Sequence, residues 1–314
     1  LYIATMPTLL VTHPACLNHL TPPGHPERPD RLRAVAEALG REEFSVLLRA
    51  EAPAANFETI ALCHPIDHIE NIRAATPQQG MVRIDADTSL SPGSFEAALR
   101  GAGGAVHAVN EVIAGNADNA FVAVRPPGHH AETARSMGFC LFNNAAIAAR
   151  HAQDHHGLTR VAIVDFDVHH GNGSQDIFWA DPTVMYCSTH EMPLYPGTGA
   201  RDERGEHDNI VNAPLRAGDG GAEFRAAMEG TILPRLLAFG PDLIVISAGF
   251  DAHMRDPLAN LNLAEADFTW VTRKIMDIAD ATAQGRIVSL LEGGYDLEGL
   301  AQSAAAHVTA LMRG

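Results

Sequence analysis

The chain of 314 residues is 46% hydrophobic and 19% charged, a composition that excludes disorder, collagen-like repeats and a disulfide scaffold as overall classes. Lys plus Arg number 22 and Asp plus Glu 38, so the formal charge of −16 repels phosphate backbones and anionic lipid and favours cationic ligands. Nucleic acid and membrane are thus not expected partners, and no apolar run reaches the roughly 18 residues of a membrane span.

In chain order, residues 1–5 read as an appendage ahead of a natural start at Met6. Short β-rich runs follow at 8–11, 120–124, 161–164, 184–187, 243–247 and 287–291, each too apolar to face solvent on either side. Strands of that kind belong to a parallel sheet covered by helices. Between them, Phe95, Ala98, Leu99, Ala102, Val106 and Val109 keep helical spacing, and 144–151 is an Ala-rich helix. Residues 223–239 read as a helix that Pro234 kinks and Gly240-Pro241 ends. No linker or repeat divides the chain, which predicts one α/β domain over 1–314. Cys16, Cys63, Cys140 and Cys187 lie far apart without C-x-x-C spacing. They read as free, buried thiols of a reducing cytosol, hence a cytoplasmic protein.

The segments after the strands carry the chemistry. The run at 120–124 leads into RPPGHH (125–130), 161–164 into DFDVHHG (165–171), 243–247 into AGFD (248–251) and 287–291 into EGGY (292–295). Ligands of open parallel sheets bind beyond the carboxyl ends of the strands, so these loops are expected to share one crevice. Asp167 and His169 are two apart on extended chain and point the same way, and Asp251 offers a third ligand from a neighbouring wall. Three protein ligands with an open position describe a catalytic metal that holds a water. Taken alone, D-x-D-x-H-H fits equally well a turn capped by Asp165 and Asp167 with a hydrogen-bonded His169; its place among four strand ends favours the metal. His129 and His130 follow a rigid Pro-Pro-Gly turn and can serve as base and acid beside such a water, or be plain polar loop residues. Tyr295 follows a Gly-Gly bend able to aim its phenol at the metal, the alternative being a core tyrosine with a satisfied hydroxyl.

The runs RPPGHHA (125–131), GFCLFNNAAIAA (138–149), VDFDVHHGNGSQD (164–176), YPGTG (195–199), SAGFDAHMRDPL (247–258) and EGGYDL (292–297), preceded by HPERPDRL (25–32), resemble the zinc-dependent histone deacetylase family. HGNG (170–173), with Asn172 where another branch carries Asp, resembles the class II and bacterial amidohydrolase-like branch. The resemblance implies the arginase/deacetylase fold, a single α/β domain with a mostly parallel eight-stranded sheet flanked by helices. It implies Asp167, His169 and Asp251 as zinc ligands, His130 as general base and acid, and His129 as its electrostatic partner oriented by Asp165. Tyr295 matches the phenol that helps polarise the substrate carbonyl. A structural potassium is implied at Asp165, the main-chain carbonyls of Asp167 and His169, the Ser188 hydroxyl and the Thr189 carbonyl. Phe139 and Tyr195 match the aromatic walls of an acyl-lysine tunnel, Gly138 the carbonyl that accepts the substrate amide proton, and Asp87 a rim aspartate that holds substrate backbone.

Two departures stand out. Tyr195 occupies a position where phenylalanine is usual and adds a hydroxyl to the tunnel wall, and Asn172 replaces a carboxylate behind His130, which leaves that imidazole less basic. The implied activity is zinc-dependent hydrolysis of a linear amide that frees an acyl group, chiefly acetyl, from an acyl-lysine or a small neutral amide. Acetylpolyamine deacetylation is the alternative within the class, and a catalytically silent acyl-lysine binder the alternative outside it. The complete set of ligands, histidines and Tyr295 argues against silence. Leu258, seven residues after the third ligand, stands where polyamine-selective relatives carry a glutamate for the distant ammonium, so neutral amides are expected to be preferred. An Asp₂His set accepts Fe²⁺ or Co²⁺ as well as Zn²⁺, and an oligomer is neither required nor excluded.

Overall fold

Val, Ile and Leu dominate the runs that become strands, and among the described residues ten strands form. They are β1 (Thr8–Thr12), β2 (Leu48–Glu51), β3 (Val82–Arg83), β4 (Ser89–Leu90), β5 (Asn119–Val122), β6 (Val161–Asp165), β7 (Val184–Glu191), β8 (Ile210–Leu215), β9 (Leu243–Ala248) and β10 (Ile287–Leu291). The structure, a computed structural model, describes residues 7–313, so the appendage expected at 1–5 lies outside the described residues. β3 and β4 make a separate antiparallel hairpin. The other eight form one sheet in the order β2-β1-β5-β10-β9-β6-β7-β8, with every neighbouring pair parallel.

Central strands are apolar on both faces because helices cover both. Ile163, Val245 and Val288 form a row across β6, β9 and β10, each wholly buried; burial of such a side chain contributes about 1.5–3 kcal/mol. Two strands that no apolar run announces, β2 and β8, are the two edges of the sheet. β2 reads Leu-Arg-Ala-Glu and is mostly exposed, and β8 contains Asn212 and Pro214. An edge strand pairs on one side only, so it tolerates charge and a proline that an inner strand rejects.

The helix Ser94–Ile113 buries Ala98, Ala102 and Val109, with Phe95, Leu99 and Val106 half-buried at its flank. The helix Asn144–Asp154 starts on Asn143, whose side chain accepts from the Ala146 amide at 2.9 Å and so satisfies one free donor of the first turn. Residues 221–239 form two helices, Gly221–Ala227 and Leu233–Phe239, joined by a π-helical turn over Met228–Ile232. The break expected at Pro234 falls in the turn before it, where the proline cannot supply the backbone donor that a continuous helix needs. Gly240, at a left-handed φ of 59°, ends the second helix as expected. The helix Leu297–Arg313 packs against both Glu265–Thr282 and Asp30–Ala38.

Arg31 and Arg125 are the largest wholly buried side chains, and the buried Glu27 carboxylate pairs with both. All three come from the HPERPDRL and RPPGHHA runs, so these motifs tie the chain's start to the loop after β5. The four cysteines are free and buried. No helix among the described residues is long and apolar enough to cross a membrane.

Candidate active site

Four neighbouring strands, in the order β5-β10-β9-β6, end on one side of the sheet and deliver the polar loops to one place. Asp165 is the last residue of β6, and beyond that strand stand Asp167 and His169, beyond β9 Asp251, beyond β5 His129 and His130, and beyond β10 Glu292 and Tyr295. Ligand atoms of Asp167, His169 and Asp251 all lie within 4.8 Å of one another, and all three residues are buried. His169 Nδ1 is 3.1 Å from Asp251 Oδ2 and 3.3 Å from Asp167 Oδ1.

These residues also hold the local turn. Asp165 Oδ1 accepts from the Asp167 amide at 3.1 Å, Asp167 Oδ1 from the His169 amide at 2.9 Å, and Asp251 Oδ1 from the Val168 amide at 2.9 Å. The capped turn and the cluster of potential ligands are therefore the same object, not competing alternatives.

Two buried carboxylates beside one imidazole suit a divalent cation, since burial of unpaired anionic charge is costly. The glycines around them show how closely the cradle is built. A Cβ at Gly249 would overlap Asp167 Oδ2, and one at Gly293 would overlap Asp251 Oδ2 and approach Asp167 Oδ2 to 2.6 Å. Gly293 instead offers its amide to Asp167 Oδ2 at 2.7 Å. Burial and then the Asp167 charge push the Asp251 carboxyl up, whereas His129 and His169 hold Asp167 well below the usual range against its burial. Against the same burial, Asp167 and Asp251 raise His169 to about 10.

The tandem histidines have unlike surroundings. His129 Nδ1 is 2.9 Å from Asp165 Oδ2, and despite burial this carboxylate and Asp167 hold His129 well above the usual imidazole range. His130 Nδ1 is 2.8 Å from Asn172 Oδ1, and burial followed by the charges of His129 and His169 pushes His130 well below that range. Their ring centroids are 4.0 Å apart. Neighbouring groups pushed in opposite directions are the usual sign of separated acid and base roles.

A cavity of about 220 Å³ opens onto this cluster, lined by Asp87, His130, Gly138, Phe139, His169, Leu194, Tyr195, Leu258 and Tyr295. All five residues expected to touch substrate, Asp87, Gly138, Phe139, Tyr195 and Leu258, thus meet around one space. Gly138 and Phe139 both have left-handed φ, 57° and 69°, a strained pairing for the phenylalanine. Their amides donate to Asp87 Oδ1 and Thr88 Oγ1, each at 3.0 Å, which locks the wall to the β3–β4 hairpin. Ser188 is paired in register with Asp165 across β6 and β7, and Thr189 follows it on β7.

A model of the histone deacetylase domain matches residues 25–311. The chain belongs to the histone deacetylase family. A "Probable deacetylase" of Archaeoglobus fulgidus is 38% identical over 300 residues, covering 94% of this chain and 83% of that one. The "Histone deacetylase-like amidohydrolase" of Pseudomonas aeruginosa is 39% identical over 278 residues, covering 87% and 73%. Among solved structures, the HDA15 HD domain superposes with a TM-score of 0.93 at 36% identity, over 98% of this chain and 89% of that one. The eight-stranded parallel sheet flanked by helices is the arginase/deacetylase fold of this family.

In this member of the histone deacetylase family, several residues around the cavity carry no signal that the sequence reading above used. Arg31 lies under the Tyr295 ring, 4.9 Å from its centroid, and donates through Nε to the Gly294 carbonyl at 2.6 Å. Glu292 Oε2 accepts from the amides of Gly128 and His129 at 2.7 and 3.2 Å, tying the histidine loop to the β10 loop. Asp256 accepts from the amides of Leu258 at 3.0 Å and Tyr295 at 2.7 Å, so one carboxylate ties together two loops that both line the cavity. Each of these charges sits inside a quoted motif, HPERPDRL, EGGYDL or SAGFDAHMRDPL; for Glu292, its place directly after the buried run 287–291 is a signal that could have found it, whereas Arg31 and Asp256 adjoin no predicted strand end.

Proposed function

We propose that this histone deacetylase family member is a zinc-dependent amidohydrolase that removes an acyl group, chiefly acetyl, from an acyl-lysine or a small neutral amide. The observation that carries it is the narrow cavity walled by Phe139, Tyr195, Leu194 and Leu258, with His130 and His169 also on its lining. An apolar stem fits such walls, and the amide at its end is delivered to the polar cluster.

Asp167, His169 and Asp251 would hold the zinc, which when bound supplies Lewis-acid polarisation of a carbonyl and a water of lowered pKa. His130 lines the cavity, and because its Nδ1 is engaged by the Asn172 oxygen, Nε2 is the nitrogen left for the reacting groups. That geometry suits removal of a proton from water during attack and its return to the leaving amine, after which the free amine and the carboxylate product depart. His129, paired with Asp165, keeps positive charge beside the reacting centre. The Tyr295 hydroxyl is the donor for the developing oxyanion, and the Gly138 carbonyl accepts the substrate amide proton. Asp87 at the mouth is available to backbone donors of a peptide substrate.

A structural potassium at Asp165, the Asp167 and His169 carbonyls, Ser188 and Thr189 is part of the proposal, supported by the β6–β7 register that sets Asp165 beside Ser188. A cytoplasmic setting is also part of it, supported by four free thiols. Leu258 at the cavity favours neutral amides over acetylpolyamines, and the −16 charge favours neither nucleic acid nor anionic membrane as a partner.

The test is a substrate panel of acetyl-lysine peptide, acetylputrescine, acetylspermidine and a simple acetanilide. Each is assayed with protein as purified, after chelation, and after return of zinc. Hydrolysis of the lysine-type or neutral amides, lost on chelation and regained with zinc, is the expected result. No hydrolysis of any amide by zinc-loaded protein would favour the silent binder, and a preference for the polyamines would overturn the substrate class.

A further inference from the structure

The amide of Asn172 lies between His130 and a second group that the chemistry above does not use. Its Oδ1 is 2.8 Å from His130 Nδ1, and its Nδ2 donates to Glu132 Oε1 at 2.7 Å. Asn172 is buried, 5% exposed, and the other contact of its Nδ2 is the Met137 sulfur at 3.4 Å. Glu132 is half-buried in a short turn whose own amide donates to the Arg135 carbonyl at 2.9 Å.

We propose that Glu132 is a positioning residue that fixes the tautomer of His130 through the side chain of Asn172. The inference rests on His130 as the general base. An asparagine amide has a donor end and an acceptor end of nearly the same shape, so by itself it satisfies a neighbouring imidazole in either orientation. A carboxylate only accepts. With Glu132 against one end, Asn172 must turn Nδ2 toward it and Oδ1 toward His130. Nδ1 of His130 then carries the hydrogen, and Nε2 presents a lone pair to the cavity, as a base requires. The reverse orientation would put Nδ2 against Nδ1, move the hydrogen to Nε2, and leave a donor where an acceptor is needed. The carboxylate absent from position 172 is thus present one hydrogen bond further back, at position 132, where it orients the base without touching it.

The assignment has a distinctive test, because the polarity of the pair can be inverted. Glu132→Gln leaves both orientations of Asn172 open. Asn172→Asp sets two carboxylates against each other, which is unfavourable at this distance. The double variant restores one donor facing one carboxylate, and the carboxylate introduced by Asn172→Asp again accepts from His130 Nδ1. With an acetyl-lysine peptide and zinc-loaded protein, Glu132→Gln should lower kcat at least threefold and Asn172→Asp at least tenfold, with KM, zinc content and melting temperature little changed. The double variant should be faster than either single variant and within about twofold of the parent. A residue that merely supports the fold gives the opposite order, with the double variant slowest. If Glu132→Gln does not fold, Glu132→Ala alone and with Asn172→Asp is held to the same order. Wild-type kcat in the Glu132 variant, or a double variant slower than Asn172→Asp, overturns the proposal. His130→Ala is run alongside: full activity there overturns His130 as the base and the positioning with it, whereas an inactive His130→Ala with the wrong order overturns the positioning alone.

Discussion

The guanidinium of Arg31 sits 4.9 Å from the centroid of the Tyr295 ring, while the Asp256 carboxylate accepts from the Tyr295 amide at 2.7 Å. The phenol is therefore fixed through its ring and its backbone, and its hydroxyl makes no hydrogen bond among the described residues that would have to be broken during reaction. Preorganised donors of this kind are worth about 2.7–4 kcal/mol to a transition state. Tyr295→Phe should keep the ring packing, the fold and the bound metal but lower kcat roughly a hundredfold. Steady-state kinetics with metal analysis checks this, and an unchanged kcat on an unactivated amide would remove Tyr295 from the chemistry.

Gly293→Ala should be more damaging than a methyl group suggests. The added carbon would overlap Asp251 Oδ2 and crowd Asp167 Oδ2, and both carboxylates are buried with nowhere to retreat. The expected outcome is zinc affinity at least tenfold weaker with secondary structure retained, read by competition with a chelator and by circular dichroism. Zinc affinity equal to the parent would show that the cradle is looser than its contacts indicate.

The predicted elements that the sequence shows most directly are those it buries on both faces. β1, β5, β6, β7, β9 and β10 follow from uninterrupted apolar runs, because an inner parallel strand has no polar face to disguise it. β2 and β8 escape the same inspection since an edge strand is free to carry Arg49, Glu51, Asn212 and Pro214. At the site, the cluster of Asp167, His169 and Asp251 and the two histidines are legible from spacing at strand ends. Glu132, Asp256 and Arg31 are not, because their partners are backbone amides, an amide side chain and an aromatic face supplied by segments distant in the chain, or loop contacts that carry no spacing signature.

Leu258→Glu tests substrate choice. In the parent, Leu258 lines the cavity, so a polyamine's second ammonium would meet an apolar side chain there, and diffuse surface charge, screened over about 10 Å at 0.1 M salt, does not replace a local partner. The variant should shift the ratio of kcat/KM for acetylputrescine over acetyl-lysine peptide upward by tenfold or more. No shift would place the discriminating contact elsewhere on the rim.

Acid stability offers a further check through His307. This side chain is wholly buried among Phe121, Phe166 and Phe250, bonded to Thr272 and Ser289, and burial holds its pKa down to about 3. The unfolded chain takes up this proton near pH 6.5 and the folded protein does not. Stability from this group is therefore complete above about pH 6.5 and is lost as pH falls from there toward 3, by about 1.4 kcal/mol per pH unit. Urea unfolding of the parent and of His307→Gln at pH 7.5, 6 and 5 should show the parent losing stability relative to the variant at that slope below about 6.5. Parallel curves would mean that the folded protein accommodates the protonated ring.

The strand order has a consequence for how the protein is made. β10, the last of the described strands in chain order, does not add to an edge but fills the gap between β5 and β9, pairing with both. Until residues 287–291 leave the ribosome, the nascent chain carries two unsatisfied inner strand edges and lacks the loop that brings Gly293 and Tyr295 to the cluster of Asp167, His169 and Asp251. Closure of the whole sheet, and with it any activity, is thus deferred until this strand emerges and pairs with β5 and β9. Termination ahead of β10 would leave the inner edges of β5 and β9 unpaired, and such a fragment is expected to aggregate and not to act as a weakened enzyme.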